Sequence, residues 1–261
     1  MDLQLDGVRA FISGSTEGIG FAIARTLAEE GAAVVLNGRR AERVDAAVAL
    51  LREAVPGADV TGLAADLADA ARTRALVERL GRVDILVNNV GTFDVAPFAE
   101  VGDDEWARYI EVNLMSAVRL SRAVLGDMIA AGAGRILFVG TESAVDVPGD
   151  MIAYGATKAA ALALANGLSK LTKGTAVTVN TVLGGPTYSD GVARTIEHIA
   201  HAQGMPAEAL RDALVRDTSL VQRFLRPEEI ASLVAYLASP LASATNGAAL
   251  RADGGVLPTV L

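Results

Sequence analysis

Tyr154 and Lys158 stand four residues apart in the stretch YGATK. On a helix, positions i and i+4 share one face. A free phenol ionises near pH ~10, so its phenolate is scarce at neutral pH. An ammonium alongside stabilises the phenolate and lowers that pKa. Such a pair supplies a general acid or base. Thr141 lies thirteen residues before Tyr154 and directly follows the apolar run GRILFVG. Its hydroxyl is expected to hold a carbonyl oxygen by hydrogen bond, with Ser143 as the back-up hydroxyl. Glu142, between them, is expected either to shape the pocket or to be an exposed loop acid. Asn113, in EVNLMSA, falls inside a long predicted helix. A buried amide there needs a polar partner or a water.

A second chemical signal lies near the N-terminus, in SGSTEGIG, where Gly14, Gly18 and Gly20 crowd together. An apolar run precedes this stretch and a helical pattern follows. A bare turn at the end of a strand lets a pyrophosphate approach the backbone. The helix start then offers free N–H groups and a positive dipole end. The stretch therefore reads as a dinucleotide-phosphate loop, although its G-x-x-x-G-x-G spacing differs from G-x-G-x-x-G.

The elements that must position these groups alternate along the chain. Strands are predicted at 8–13, 32–37, 59–65, 83–89, 134–140, 176–182 and 248–253. Helices are predicted at about 18–31, 40–54, 69–80, 103–131 and 151–172, with Asp103 or Asp104 as the N-cap of the fourth. Near-continuous apolar strands imply burial on both faces. Strict strand–helix alternation implies a doubly wound α/β sheet. The whole chain, 1–261, reads as one domain, with a turn-rich and helical insertion at about 186–226 expected to be a substrate lid.

Composition narrows the class. The chain has 261 residues, 51% of them apolar, and no cysteine. Disulfides, thiolate catalysis and cysteine-bound zinc are excluded. The net charge of −8 argues against nucleic-acid binding. The opening MDLQLDG does not read as a signal peptide, and AAALALA at 159–165 is too short to cross a bilayer. No membrane partner and a cytoplasmic location are expected. His198 and His201 lack an evident third ligand, so no metal is expected. Arg72, Arg74, Arg79 and Arg82 read as a solvated face, and Trp106 as packing.

Taken together, the glycine motif, NNVG (88–91), Asn113, YGATK, VNTVLGGPT (179–187), RPEEIA (226–231) and DGG (253–255) resemble the short-chain dehydrogenase/reductase family in order and spacing. The resemblance covers almost the whole chain. It implies a Rossmann-like fold with a mainly parallel, seven-stranded sheet. It implies hydride transfer between a nicotinamide cofactor and a small-molecule carbonyl or alcohol. Tyr154 would be the proton donor or base. Lys158 would lower the Tyr154 pKa and bind ribose, Thr141 would take the place of the usual serine, and Asn113 would hold a water linking Lys158 to solvent. The dinucleotide would lie along Gly14, Ser15, Thr16, Gly18, Ile19 and Gly20, with Asp66, Leu67, Asn89, Gly91, Gly185 and Thr187 completing its site. Gly184 stands where the family has proline, which is expected to loosen the loop beside the nicotinamide. The resemblance also implies a homo-oligomer, a tetramer or dimer, packed through 103–131 and 151–172.

The cofactor is read from the second strand, which ends VVLNGRR. An acid there would bind the ribose of NAD and repel a 2′-phosphate. Gly38 occupies that place, and Arg39 and Arg40 follow. A guanidinium grips phosphate with a planar fork. NADP is therefore expected, with Arg39 as the main contact and Asn37 and Ser15 adding polar contacts. Glu17, beside the second glycine, opposes that preference. The chain thus reads as an NADP(H)-dependent carbonyl reductase. The alternatives are an NAD(H)-dependent alcohol dehydrogenase and a non-catalytic dinucleotide sensor or scaffold.

Overall fold

A computed structural model describes residues 2–260. Seven parallel strands form one sheet in the order β3-β2-β1-β4-β5-β6-β7. They are β1 (Arg9–Ile12), β2 (Ala33–Gly38), β3 (Val60–Ala64), β4 (Ile85–Asn88), β5 (Ala133–Thr141), β6 (Ala176–Gly184) and β7 (Ala249–Ala252). Each lies within two residues of its predicted position. The doubly wound expectation holds.

Alternation along the strands builds two cores. Ala10 and Ile12 of β1, with Leu137 and Val139 of β5, face one side. There they meet α1 (Gly18–Glu29), α2 (Ala41–Ala54) and a late helix at Pro227–Ala238. Phe11 of β1 and Ile136 and Phe138 of β5 face the other side. They pack on α3 (Ala70–Leu80) and on two later helices that carry site residues. Burial on both faces is why these strands read as apolar runs rather than alternating ones.

The predicted helix 103–131 is interrupted. It consists of α4 (Asp103–Ile110), a π-helical turn (Glu111–Met115) and α5 (Ser116–Ala131). The first helix starts from Gly102 rather than from an Asp cap, and Asp103, Asp104 and Glu105 fill its first turn. Acids suit that turn because it is the positive end of the dipole. The next helix, α6 (Ile152–Ser169), is followed by a 3₁₀ turn (Lys170–Thr172). The insertion holds α7 (Asp190–Gln203) and α8 (Ala207–Ala213), and α9 is Pro227–Ala238. Pairing of Thr187 with Leu225 returns the insertion to the end of β6.

Gly184, expected to loosen its loop, is instead the last residue of β6 and pairs with both Thr141 and Ala252. Ladder pairing on both sides does the work that a proline's fixed φ would do. The glycine loop has a different reason for each residue. Gly14 and Gly18 have φ of +61° and +60°. Gly20 lies in α1, and a Cβ there would sit 2.4 Å from the Gly14 carbonyl oxygen. Gly20→Ala is expected to lower stability by about 1–3 kcal/mol, as overpacking does, read as a fall in Tm with unchanged far-UV circular dichroism.

Candidate active site

The strand order reverses between β1 and β4, so the loops after these strands part and leave a crevice at their carboxyl ends. A cleft of about 930 Å³ runs there, bordered by Gly14, Gly38, Arg39, Asp66, Asn89 and Gly91 among others. Asn89 clamps its floor: Nδ2 donates to the carbonyls of Ser13 (3.1 Å) and Gly14 (2.8 Å). The Ser13 hydroxyl oxygen accepts from the Asn89 and Val90 amides. The glycine loop is thus tied to the segment after β4 by Ser13 and Asn89, each one residue past the end of its strand.

The predicted cofactor residues divide. Gly14, Thr16, Asn37, Arg39, Arg40, Asp66, Leu67, Asn89 and Gly91 line the cleft, while Ser15, Gly18, Ile19, Gly20, Gly185 and Thr187 lie outside its wall. Ser15 is fully buried, and its hydroxyl donates to the Ile12 carbonyl (2.8 Å). Asn37 reaches the cleft, but its amide is committed to the Gly14 N–H (3.2 Å) and the Leu63 carbonyl (2.9 Å). Both side chains therefore hold the loop to β2 and β3, rather than offering free polar groups as expected. Thr187 donates inward to the Gly185 carbonyl (2.8 Å), and a Cβ on Gly185 would meet the Asp253 carbonyl oxygen at 2.5 Å.

Arg39 and Arg40 are exposed and make no ion pair among the described residues. A side chain at Gly38 would meet the Thr16 methyl at 2.6 Å, so an acid has no room there without rearrangement. Arg43, which carries no signal in the sequence, joins this wall and pairs with Glu17 at 2.5 Å. Arg72 also borders the cleft, although it was read as a solvated charge. Glu17 is neutralised from two sides, since Arg194 of α7 lies 2.9 Å away. Burial alone raises the Glu17 pKa, but hydrogen bonds and charge from Arg194 and Arg43 outweigh it and hold the carboxyl below its ordinary value. Beside this pair, the Gly18 N–H donates to the Asp190 carboxylate at 2.7 Å. The first turn of α7 therefore rests on the glycine loop.

The acid–base residues gather where β4 and β5 end. Thr141 is the last residue of β5 and Tyr154 lies one turn into α6. Lys158 is one turn further and buried, with its Nζ 3.1 Å from the Val139 carbonyl oxygen and 5.9 Å from the Tyr154 ring centre. Asn113 sits in the π turn. Such bulges re-aim side chains at functional sites. Its Nδ2 donates to the Thr92 carbonyl (3.0 Å) and to Thr157 Oγ1 (3.1 Å), and its Oδ1 accepts from the Thr92 amide (2.7 Å). Asn113 thereby pins the loop after β4 against α6. A cavity of about 10 Å³ touches Lys158, Asn113, Asn88 and Thr181. That is room for one water. Asn88 Oδ1 and Thr181 Oγ1 have no protein partner.

Two expectations about this centre change. Lys158 was expected to lower the Tyr154 pKa, but burial pushes the Tyr154 phenol up to about 12, against a lowering hydrogen bond from Thr141 and with Glu142 and Tyr109 adding to the rise. Burial pushes the Lys158 ammonium down to about 8. Desolvation outweighs pairing because both groups leave water and their separation is long. Thr141 was expected to offer its hydroxyl proton outward. It donates instead to Glu142 Oε2 at 2.6 Å. Glu142 is buried at 4% exposure, so it is not an exposed loop acid.

Aromatic rings and carboxylates surround Tyr154. Phe93 packs on Tyr154 with ring centres 5.9 Å apart. Trp106, read as packing, lines a pocket with Tyr154, Met151 and Phe98. No helix among the described residues is long and apolar enough to cross a membrane. No group of three metal-ligating side chains occurs among them.

The Lys158 shift has a stability consequence. Its pKa is depressed in the folded chain, so the charge penalty is full below pH ~8 and fades as pH rises to the unfolded value of ~10.5. Lys158→Met is expected to raise Tm at pH 7, with the gain over wild type shrinking through pH 8 to 10.5, followed by thermal melts across that range.

Comparison with known proteins agrees with this geometry. The short chain dehydrogenase family model matches residues 9–200. The chain is 43% identical to Uncharacterized oxidoreductase YvaG of Bacillus subtilis (strain 168), over all of both chains. It is 45% identical to Uncharacterized oxidoreductase YvrD of the same organism, covering 98% of this chain and 99% of that one. Among solved structures, L-sorbose reductase from Gluconobacter frateurii, complexed with NADPH and L-sorbose, superposes with a TM-score of 0.95 at 32% identity over all of both chains. With its seven-stranded parallel sheet, its glycine loop and its Tyr154–Lys158 helix, the chain belongs to the short-chain dehydrogenase family of oxidoreductases.

Proposed function

We propose that the chain is an NADP(H)-dependent oxidoreductase that interconverts a small carbonyl compound and its alcohol. The observation that carries this is one of placement. Tyr154, Lys158 and Thr141 meet at the carboxyl end of the sheet, beside a cleft that begins at a positive-φ glycine loop. Positive φ and the crowding at Gly20 are what close backbone approach to a pyrophosphate requires. A bound nicotinamide would supply or accept the hydride. The chain's own residues do the rest. Tyr154 gives its phenolic proton to the nascent alkoxide in reduction and takes one back in oxidation. A neutral phenol at physiological pH suits the first direction. Lys158 and a water in the neighbouring small cavity return that proton from solvent. Phe93, Trp106 and Met151 keep water from the reacting oxygen.

The preference for NADP rests on the second strand. Gly38 leaves no acid to repel a 2′-phosphate, and Arg39, Arg40 and Arg43 stand along that wall. Glu17 does not oppose it, because Arg43 and Arg194 take up its charge. The complex of L-sorbose reductase with NADPH supports the same choice. The insertion from 186 to 226 acts as a lid, resting on the glycine loop at Asp190 and on the reaction centre at Arg216. A homo-oligomer fits α6, which exposes Ala156, Ala160, Ala163 and Gly167 along one face. Small residues permit close helix approach.

Fluorescence titration with NADPH and NADH tests the cofactor assignment. NADPH is expected to bind at least tenfold more tightly, and Arg39→Ala to remove most of that margin, since one charge-assisted phosphate contact contributes about 1.5–3 kcal/mol. Equal or tighter binding of NADH would turn the assignment toward NAD.

A further inference from the structure

Glu142 is a buried carboxylate at the reaction centre that hydride transfer by itself does not require. Thr141 Oγ1 lies 2.6 Å from its Oε2, and Ser143 Oγ lies 3.1 Å from its Oε1. Arg216, from the segment between α8 and α9, brings its guanidinium to 3.3 Å from Oε1. The Arg216 side chain is 34% exposed while that of Glu142 is 5% exposed. Thr141 Oγ1 also accepts from the Ser143 amide at 3.2 Å. A hydroxyl has one proton and an ionised carboxylate only accepts. Both hydroxyl protons therefore point at Glu142. What remains on Thr141 Oγ1 is acceptor capacity.

We infer that Glu142 is a positioning residue that fixes the direction of the Thr141 hydroxyl, and that Arg216 is its counter-charge, docked from the insertion. Under this arrangement Thr141 accepts from the Tyr154 phenol or from a substrate alcohol; with its proton held by Glu142 it donates nothing to a substrate carbonyl, and the lowering that a bond donated by Thr141 would bring to Tyr154 is withheld. Tyr154 is then the hydroxyl donor to the carbonyl oxygen in reduction. An incoming alcohol can rest its single proton on Thr141, and turns it to the ionised Tyr154 when it is oxidised. The arrangement also makes lid docking and acid strength one matter. The Tyr154 phenol has the Glu142 carboxylate and Tyr109 as neighbours, shares a pocket with the carboxylates of Asp94, Glu105 and Asp150, and has Lys158 on its own helix and Arg216 behind Glu142. A bare carboxylate favours the protonated phenol, and a carboxylate covered by Arg216 favours it less.

This inference rests on Tyr154 acting as the acid and base. Its test is the pH dependence of turnover, in both directions, for wild type, Glu142→Gln, Arg216→Gln and Arg216→Lys. Glu142→Gln removes a negative charge and should move the Tyr154 limb to lower pH. Arg216→Gln uncovers that charge and should move it to higher pH. Each shift is expected on the order of half a pH unit or more. Arg216→Lys should restore the wild-type position. Thermal melts and NADPH titration show that each variant folds and binds. Shifts of the same sign, or no shift in either variant, overturn the inference. If wild type turns over no carbonyl or alcohol, the proposed function fails, and a second readout still decides this one. The Tyr154 Cζ resonance of ¹³C-tyrosine protein, assigned by Tyr154→Phe, should move in opposite directions in the Gln variants. A resonance indifferent to both would contradict the inference.

Discussion

The sheet winds outward in two directions from the seam between β1 and β4, and the site exists because of that seam. Where neighbouring strands send their connections to opposite faces, nothing covers the carboxyl ends. The glycine loop leaves β1 on one side and the NNVG segment leaves β4 on the other. Asn89 reaches back across the seam to the carbonyls of Ser13 and Gly14. One amide thus sets the distance between the two halves of the cleft. The same logic extends sideways, since Thr141 ends β5 and Gly184 ends β6 at paired positions. Thr141 and Gly184 are register neighbours at the carboxyl end of a parallel sheet, and α6 brings Tyr154 and Lys158 to that same end.

Desolvation is the second physical theme. Two ionisable groups are drawn from water, Lys158 buried and Tyr154 half-buried, and burial lifts the phenol of Tyr154 and depresses the ammonium of Lys158. Both shifts favour neutral forms, so the centre stands as a phenol beside a weakly held proton rather than as an ion pair. Sites of this kind are costly to the fold. The chain offsets some of the cost with fully satisfied neighbours, such as Asn113, whose amide is bonded to Thr92 and Thr157. The π turn that carries Asn113 is itself a local departure from a regular helix.

Much of this was legible in the sequence. Apolar runs bounded by Gly-rich turns mark the seven strands, and the i, i+4 spacing of Tyr154 and Lys158 survives in α6. What was not legible depends on contacts between distant segments. Periodicity cannot show that the 103–131 helix breaks at Glu111, because every residue there still has helical spacing. Nor can it show that Ser15 and Asn37 turn inward, since Ser15 Oγ accepts from the Asn37 amide of β2 and the Asn37 side chain donates to Leu63 of β3. The direction of the Thr141 proton depends on its bond to Glu142, and Glu142 meets its counter-charge in Arg216, which arrives from the insertion. Arg43 was missed for a similar reason. It lies beyond the end of the second strand, and only the packing of α2 turns it toward Glu17.

In the proposed reaction the chain moves a hydride with Tyr154 as its proton donor. The most direct measurement follows deuterium from NADPH carrying deuterium at both C4 positions of the nicotinamide into a panel of small ketones and aldehydes, by mass spectrometry, for wild type and Tyr154→Phe. The account predicts a product carrying one deuterium at the former carbonyl carbon in wild type. In Tyr154→Phe it predicts a rate lowered by about 10²–10⁴, the usual contribution of a positioned general acid, with NADPH binding retained. Label transfer at an undiminished rate in Tyr154→Phe would contradict the role given to that residue. No transfer to any carbonyl by wild type that binds NADPH would contradict the carbonyl-reductase claim itself.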